Sequence, residues 1–242
     1  RVGDGTQNFD RDQITEIYIS DGVTAVGNSA FSWYKNLKKA VVGNSVKTIG
    51  DSAFRQDENL TELTLGNSVE VIRGTAFGET GLQELVLPSS LKSLWSMALY
   101  GMDQLENITI SANETYQTKD GALYTNGGKT LYFYPSKKTG EYTIPEGVTE
   151  IANDAFNGTN LTKLVIADSV TRMGEYAFSN SKTLQTIVFG KGIKVISRCC
   201  CSGNTALTTV TIPEGVTTVE NEAFVLCPAL KEVTLPRSVT SE

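Results

Sequence analysis

The dipeptide Ala-Phe occurs six times, ending at Phe31, Phe54, Phe77, Phe156, Phe178 and Phe224, and most of the gaps are about 23 residues or twice that. A period of this length marks an array of like supersecondary units rather than one irregular core. Each unit can be read residue by residue. About six residues past the phenylalanine comes a segment of the form L-x-x-I-x-I: Leu37/Ala40/Val42, Leu82/Leu85/Leu87, Leu161/Leu164/Ile166 and Leu207/Val210/Ile212, with a first copy at Ile14/Ile17/Ile19. Its last two apolar residues alternate with one β-branched or small polar residue, which predicts a strand with one buried face. A turn such as Gly43-Asn-Ser-Val46 or Pro213-Glu-Gly-Val216 follows, built from residues that stop strands and reverse chains. Then come V-x-x-I (Val46/Ile49, Val216/Val219) and a G-x-x-A-F stretch, predicted as a single helical turn.

A lone unit has too few apolar side chains to offset the ordering of its backbone. Stacked units cover one another's open faces and share parallel strand ladders, so only the array is stable. The predicted fold is a repeat solenoid, a right-handed parallel β superhelix of about ten coils with short helical turns on the convex side. It runs as a single domain over residues 14–242 after an N-terminal lead-in at 1–13. The phenylalanine column is its predicted core.

Three departures from the period are informative. At 98–99 the pair becomes Ala98-Leu99, a swap of one large apolar residue for another. At 200–201 it becomes Cys200-Cys201, so that Cys201 takes the phenylalanine slot with far less volume; neighbouring coils must shift or a cavity remains. The third is an insertion of about eleven residues between the equivalent positions Ile110 and Ile144. Its stretch Asp120–Pro135 reads as a β-hairpin around Asn126-Gly127 within an insert of about 113–142, added to a coil whose neighbours already have their strands. Five of the nine tyrosines fall here: Tyr116, Tyr124, Tyr132, Tyr134 and Tyr142. Two readings stand for Tyr116, Tyr124, Tyr132 and Tyr134: packing of the hairpin against the solenoid, or a contact surface for a ligand.

Chemistry is searched for and the patterns do not carry it. With no histidine in 242 residues, Ser-His-Asp and Cys-His systems are excluded. No phosphate-cradling glycine loop and no G-x-S-x-G is present. Ser32–Lys35 and Ser89–Lys92 match S-x-x-K in ordinary repeat positions, and recurring carboxylates such as Glu62 and Glu84 follow from the repeat itself. Asp4, Asp10 and Asp12 have no calcium-loop spacing. No catalytic residue, cofactor or metal is assigned; the chain reads as a non-enzyme. The net charge of −6, with no Lys/Arg run beyond two, argues against nucleic acid as partner. No apolar run reaches the ~18 residues that span a bilayer. Cys199, Cys200, Cys201 and Cys227 form the whole cysteine set; a disulfide from Cys227 to the triplet and four free thiols both remain open. The chain opens at Arg1 without Met and stops partway through a new unit at Val239-Thr-Ser-Glu242, which reads as an excerpt of a longer protein.

Val148-Thr-Glu-Ile-Ala-Asn-Asp-Ala-Phe156 and Val216-Thr-Thr-Val-Glu-Asn-Glu-Ala-Phe224 resemble the BspA-like leucine-rich repeat, also called the Treponema pallidum type. The resemblance covers about 14–239. The D-G-x-L-Y…L-x-x-Y-P pattern of the hairpin is similar to an insert of the same family, and Cys227 stands where this repeat often has cysteine. The resemblance implies a curved solenoid with a concave parallel sheet. It also implies a secreted or cell-surface bacterial protein acting in adhesion or protein binding, with an extracellular protein or a glycan as partner. A carbohydrate-binding accessory module and a structural spacer are the alternatives, and the chain is expected to be a monomer.

Overall fold

A computed structural model of the chain describes residues 10–95 and 97–240. Residues 1–9 of the lead-in, with Asp4, lie outside the described residues, as do Ser96, Ser241 and Glu242. The chain divides into two compact units, Arg1–Gly121 and Ala122–Glu242, and about nine turns of parallel β-solenoid are distributed over them.

The first four coils of the first unit each contribute a longer and a shorter strand: β1 (Glu16–Ile19) and β2 (Ala25–Val26), β3 (Lys39–Val42) and β4 (Thr48–Ile49), β5 (Glu62–Thr64) and β6 (Val71–Ile72), β7 (Glu84–Leu87) and β8 (Ser93–Leu94); the fifth has two strands of equal length, β9 (Asn107–Ile110) and β10 (Tyr116–Lys119). The pairing is parallel and the register follows the repeat: Glu16 lies beside Lys39 and Lys39 beside Glu62. The short strands form one ladder, β2-β4-β6-β8. The long strands form two, β1-β3-β5 and β7-β9. The break falls where Phe77 to Leu82 is one residue shorter than Phe54 to Leu60. Leu63 and Leu65, inward by pattern, are left half-buried there.

The second unit begins with the hairpin. β11 (Ala122–Thr125) and β12 (Thr130–Phe133) pair antiparallel, and Gly127 in the connecting turn takes a positive φ of 62° that a glycine adopts without strain. The remaining pairs are β13 (Thr139–Thr143) and β14 (Glu150–Ile151), β15 (Asn160–Val165) and β16 (Arg172–Met173), β17 (Thr186–Val188) and β18 (Val195–Ile196), β19 (Thr209–Thr211) and β20 (Thr218–Val219). The hairpin is not an addition to an already complete stack. β12 is the parallel partner of β14, and β13 is the parallel partner of β15. The insert therefore supplies both strands on which the next coil rests.

The G-x-x-A-F stretches differ from the expected helical turn. Each is a run of hydrogen-bonded turns interrupted by left-handed residues two before and two after the phenylalanine: Ser52 and Gln56 around Phe54, Thr75 and Glu79 around Phe77, Asp154 and Gly158 around Phe156, Tyr176 and Asn180 around Phe178. The reason lies in where the amides go. Alternate N–H groups leave the coil: Ser52, Phe54 and Gln56 donate to the carbonyls of Gly74, Ala76 and Gly78 in the next one. Those between, Ala53 and Arg55, close local turns onto Gly50 and Ser52. A continuous helix would keep every amide inside the coil; this arrangement ties coil to coil on the turn side as the ladders do on the strand side.

The core follows the pattern. Phe31, Phe54, Phe77, Phe156 and Phe178 are buried, with rings stacked at 5.4 Å (Phe31–Phe54) and 6.0 Å (Phe54–Phe77). Leu99 is buried in the same column, and Cys201 is 0% exposed in the phenylalanine slot, its amide donating to Ala223 O at 2.9 Å as Phe156 N does to Ala177 O. Phe224 is the exception: it is half-buried, because within the described residues its coil is packed fully on one side only. All four cysteines are buried free thiols, and the Cys227 thiol donates to Cys201 O at 3.1 Å rather than reaching a sulfur.

Candidate functional site

The tyrosine insert is the first sequence candidate, and the structure puts most of it inside. Tyr116, Tyr124 and Tyr134 are buried and Tyr132 is half-buried. Tyr134 stands in the phenylalanine column: its amide donates to Ala155 O at 2.8 Å and its ring stacks on Phe156 at 4.8 Å. Tyr142, an inward strand residue of β13, packs on Tyr134 at 4.5 Å and meets the Tyr124 hydroxyl at 3.1 Å. In the first unit the Tyr116 hydroxyl accepts the Leu94 amide at 2.8 Å, satisfying the edge of β8, and burial pushes its own ionisation up. Asn113 holds the start of the insert by donating to Ser89 O and Leu91 O. These tyrosines complete coils. Of the five tyrosines only Tyr132 and Tyr142 keep part of their surface exposed.

The second candidate is the outer face of the long strands. Side chains alternate along a strand, so the same pattern that buries Ile17, Ala40 and Leu85 presents Glu16, Tyr18, Lys39, Val41, Glu62, Thr64, Glu84 and Val86 on the other side. Two large apolar side chains stand out among them: Tyr18 is 62% exposed and Val86 is 59% exposed. The charged row is partly tied. The Tyr18 hydroxyl donates to Glu16 Oε2 at 2.8 Å, and Lys39 Nζ lies 3.2 Å from Glu62 Oε2. Three carboxylates (Glu16, Glu62, Glu84) accompany one ammonium (Lys39) on these strands, so the row is net acidic. The hydrogen bond to Glu16 raises the Tyr18 ionisation, and the hydrogen bond to Glu62 raises that of Lys39, so both keep their protons at neutral pH.

Where β1, β3 and β5 end, their turns line an open groove of about 450 Å³, with Tyr18, Asp21, Val41, Asn44, Thr64 and Asn67 among its walls. A ladder of side-chain caps shapes it: Asp21 Oδ1 accepts the Asn44 amide at 2.6 Å and Asn44 Oδ1 accepts the Asn67 amide at 3.1 Å. Gly66 has no room for a side chain, because a Cβ there would run into the Gly43 carbonyl of the preceding turn. Strand alternation alone predicts that these residues face outward; the groove arises from the glycine and asparagine turns, whose pattern in the sequence signals only chain reversal.

The same face of the second unit is plainer. Thr143, Val165, Val188 and Thr211 form its outer row, beside Thr186 and Thr209, with one ion pair, Lys163 Nζ to Glu141 Oε2 at 3.0 Å. Among the described residues no group of three or more Cys, Asp or Glu side chains is arranged to hold a metal ion. Asp10, one of the N-terminal acids, is instead a helix cap that accepts the Asp12 amide at 3.1 Å. No helix of the described residues is long and apolar enough to cross a membrane.

Comparison with known proteins agrees with this architecture. The chain is similar over 94% of its length to a leucine-rich cell surface protein from Faecalibacterium prausnitzii, at 26% identity, a TM-score of 0.75 and 74% coverage of that protein. It matches the pneumococcal vaccine antigen PcpA at 25% identity and a TM-score of 0.77, covering 90% of this chain and 61% of that one. A leucine-rich repeat protein from Eubacterium ventriosum shares the fold at 24% identity and a TM-score of 0.64, with 95% of this chain and 81% of that one covered. No match is found among curated proteins. No catalytic family is indicated. The model of the BspA type leucine rich repeat region matches residues 5–126 and 129–241, six copies in all, and the chain belongs to that family.

Proposed function

We propose that this chain is a non-enzymatic binding scaffold displayed at the bacterial surface, and that it contacts other proteins through the outer strand face of its first unit. The observation that carries the reading is the pair Tyr18 and Val86, large apolar side chains left exposed on hydrogen-bonded strands beside an acidic row. Exposed aromatic and aliphatic anchors on a rigid backbone bury area on binding at little entropic cost. The acidic row favours a partner with a basic patch and would make association slower as salt rises. The surface location rests on relatives described as a cell surface protein and a vaccine antigen. Adhesion is the activity this combination serves, and the chain acts as a monomer.

The test is an array of extracellular proteins and glycans probed with the chain and two variants. A protein hit whose affinity falls at least about tenfold in Tyr18→Ala/Val86→Ala, and not in Tyr132→Ala, supports the face. A hit lost only in Tyr132→Ala moves the site to the hairpin, and a response to glycans alone replaces the reading with a carbohydrate-binding module. Silence on both arrays favours a spacer.

A further inference from the structure

Three residues past the slots of Phe77, Phe178, Cys201 and Phe224, a column of side chains turns back to bond slot carbonyls of their own coil or the one before. Thr80 Oγ1 donates to Phe77 O at 2.8 Å. Ser181 Oγ donates to Phe156 O at 3.3 Å and shares a hydrogen bond with Thr159 Oγ1, its counterpart one coil earlier. Asn204 Nδ2 donates to two slot carbonyls, Phe178 O at 3.0 Å and Cys201 O at 2.9 Å, while its Oδ1 accepts the Ser181 amide at 2.8 Å. The Cys227 thiol donates to Cys201 O. The column is thus a place where a buried side chain gives a proton to the carbonyl of the core aromatic.

Asp57 occupies this position in the first unit and is 0% exposed. Its Oδ1 accepts the Tyr34 amide at 2.8 Å, one coil back, as Asn204 Oδ1 accepts that of Ser181. By the correspondence with Asn204, Oδ2 is the atom that takes the place of the Asn204 amino group, whose counterpart carbonyls in this coil and the one before it are those of Phe54 and Phe31. It is the one buried side-chain oxygen or nitrogen among the described residues without a hydrogen-bond partner. An ionised carboxylate has only acceptors to offer to a pair of carbonyl oxygens. A carboxylic acid has the missing donor.

We propose that Asp57 is a neutral carboxylic acid in the folded protein, its Oδ2–H donating to a carbonyl of the phenylalanine column, and that its ionisation loosens the intercoil turns around the phenylalanines of the first unit. The surrounding charges do not compete for this role. Of the titratable groups on the three coils that meet here, Lys35 and Glu58 are exposed. Arg55 is committed to Glu79, with Nη2 to Oε1 at 2.8 Å, and the Tyr34 ring packs edge-on against Phe31. Burial raises the Asp57 ionisation from 3.8 to about 8, against a smaller opposing effect of the Tyr34 amide. The sign follows. Below 3.8 the group is protonated in both folded and unfolded chains and its contribution is complete; between there and about 8 only the folded form holds the proton, so each added pH unit weakens folding by up to about tenfold. Above that the loss is complete.

The experiment is denaturant unfolding of the chain and of Asp57→Asn across pH 5–9. Difference infrared spectra of the same two proteins, and hydrogen exchange at the Tyr34 amide normalised to its intrinsic rate, complete it. Asp57→Asn supplies the donors that Asn204 has. It is expected to match or exceed the wild type at pH 7, and to pull further ahead by up to about tenfold in folding equilibrium constant per pH unit toward pH 8. The wild type should show a protonated carboxyl stretch at pH 6 that Asp57→Asn lacks, and should lose Tyr34 protection above pH 8 where the variant keeps it. Parallel pH profiles, or the absence of that band, would overturn the neutral acid. Equal Tyr34 protection in the two proteins above pH 8 would overturn the loosening. The infrared band is read on the wild type, so a poorly folding variant leaves the test standing.

Discussion

Asp57 and Asn204 hold one position in the two units and solve it differently. Both use one oxygen to accept an amide from the preceding coil. Asn204 also carries two donors for the slot carbonyls, whereas Asp57 has none unless it keeps a proton. The apolar side of the same two coils differs in the opposite sense. Phe54, in the Asp57 coil, stacks on a ring to either side, while the Asn204 coil has Cys201 in place of a ring. One coil is well packed and carries an awkward polar group; the other is polar-complete with a smaller apolar residue. The repeat does not demand that every column be optimal in every coil, because each coil is held by neighbours on both sides.

The largest expected effects come from the aromatic column itself. Phe54→Ala and Phe178→Ala should each cost about 3–5 kcal/mol, a buried large-to-small change that leaves a cavity. Phe54 should lie at the upper end, since it loses stacking on two rings while Phe178 has Phe156 at 5.6 Å and an edge contact to Phe189. Thr211→Ala, on the outer strand face, should cost under about 1 kcal/mol. Denaturant midpoints of the three variants are the check, and a Thr211→Ala loss equal to the phenylalanine losses would break the division into inside and outside.

The exchange of the polar residues comes next. Asn204→Asp would remake the Asp57 problem in the second unit, with Phe178 O deprived of its donor and Cys201 O left with the Cys227 thiol alone. A loss of about 2–4 kcal/mol at pH 8, shrinking as pH falls toward 4, is expected from an unsatisfied buried group that can recover by protonation. A loss of the same size at both pH values would mean that the site accepts only an amide, and that the likeness of the two positions fails.

The fold was legible because its signal is repeated: the period, the strand alternation and the aromatic column are each written many times over, and Asn126-Gly127 marks the one hairpin. The column beside the aromatics was not legible. Thr80, Ser181, Asn204 and Cys227 share no chemistry that a pattern search would group; what they share is a direction, toward the slot carbonyls. The left-handed residues were missed for a related reason. Gln56, Glu79 and Tyr176 are not residues that announce a positive φ, and the intercoil hydrogen bonds that hold them there belong to the stack. The tyrosines of the insert read equally as core or as contact, since a strand that completes a neighbouring coil and one that lies over it have the same alternation. Register decided it: β12 pairs with β14, and Tyr134 falls into the aromatic column.

The smallest effect tests whether the Cys201 coil is a defect at all. Cys201 gives up the volume of a phenyl ring, but the same coil carries Phe189 at an inward strand position where other coils have Ile19, Val42, Leu87, Ile166 and Ile212. Phe189 is buried, meets Phe178 edge-on at 6.4 Å, and belongs to the same core cluster as Cys201. In this coil the ring stands on the strand side instead of in the phenylalanine slot. Cys201→Phe alone should then overpack the coil and cost about 1–3 kcal/mol, whereas Phe189→Ile alone should leave a void of similar consequence. The double variant should recover most of the loss, with a coupling of about 1–2 kcal/mol between the two sites. Additive single effects in a double-mutant cycle would show that the two volumes are independent. A stabilising Cys201→Phe would show that the slot had been standing underfilled, and that the second unit, not the first, is the looser of the two.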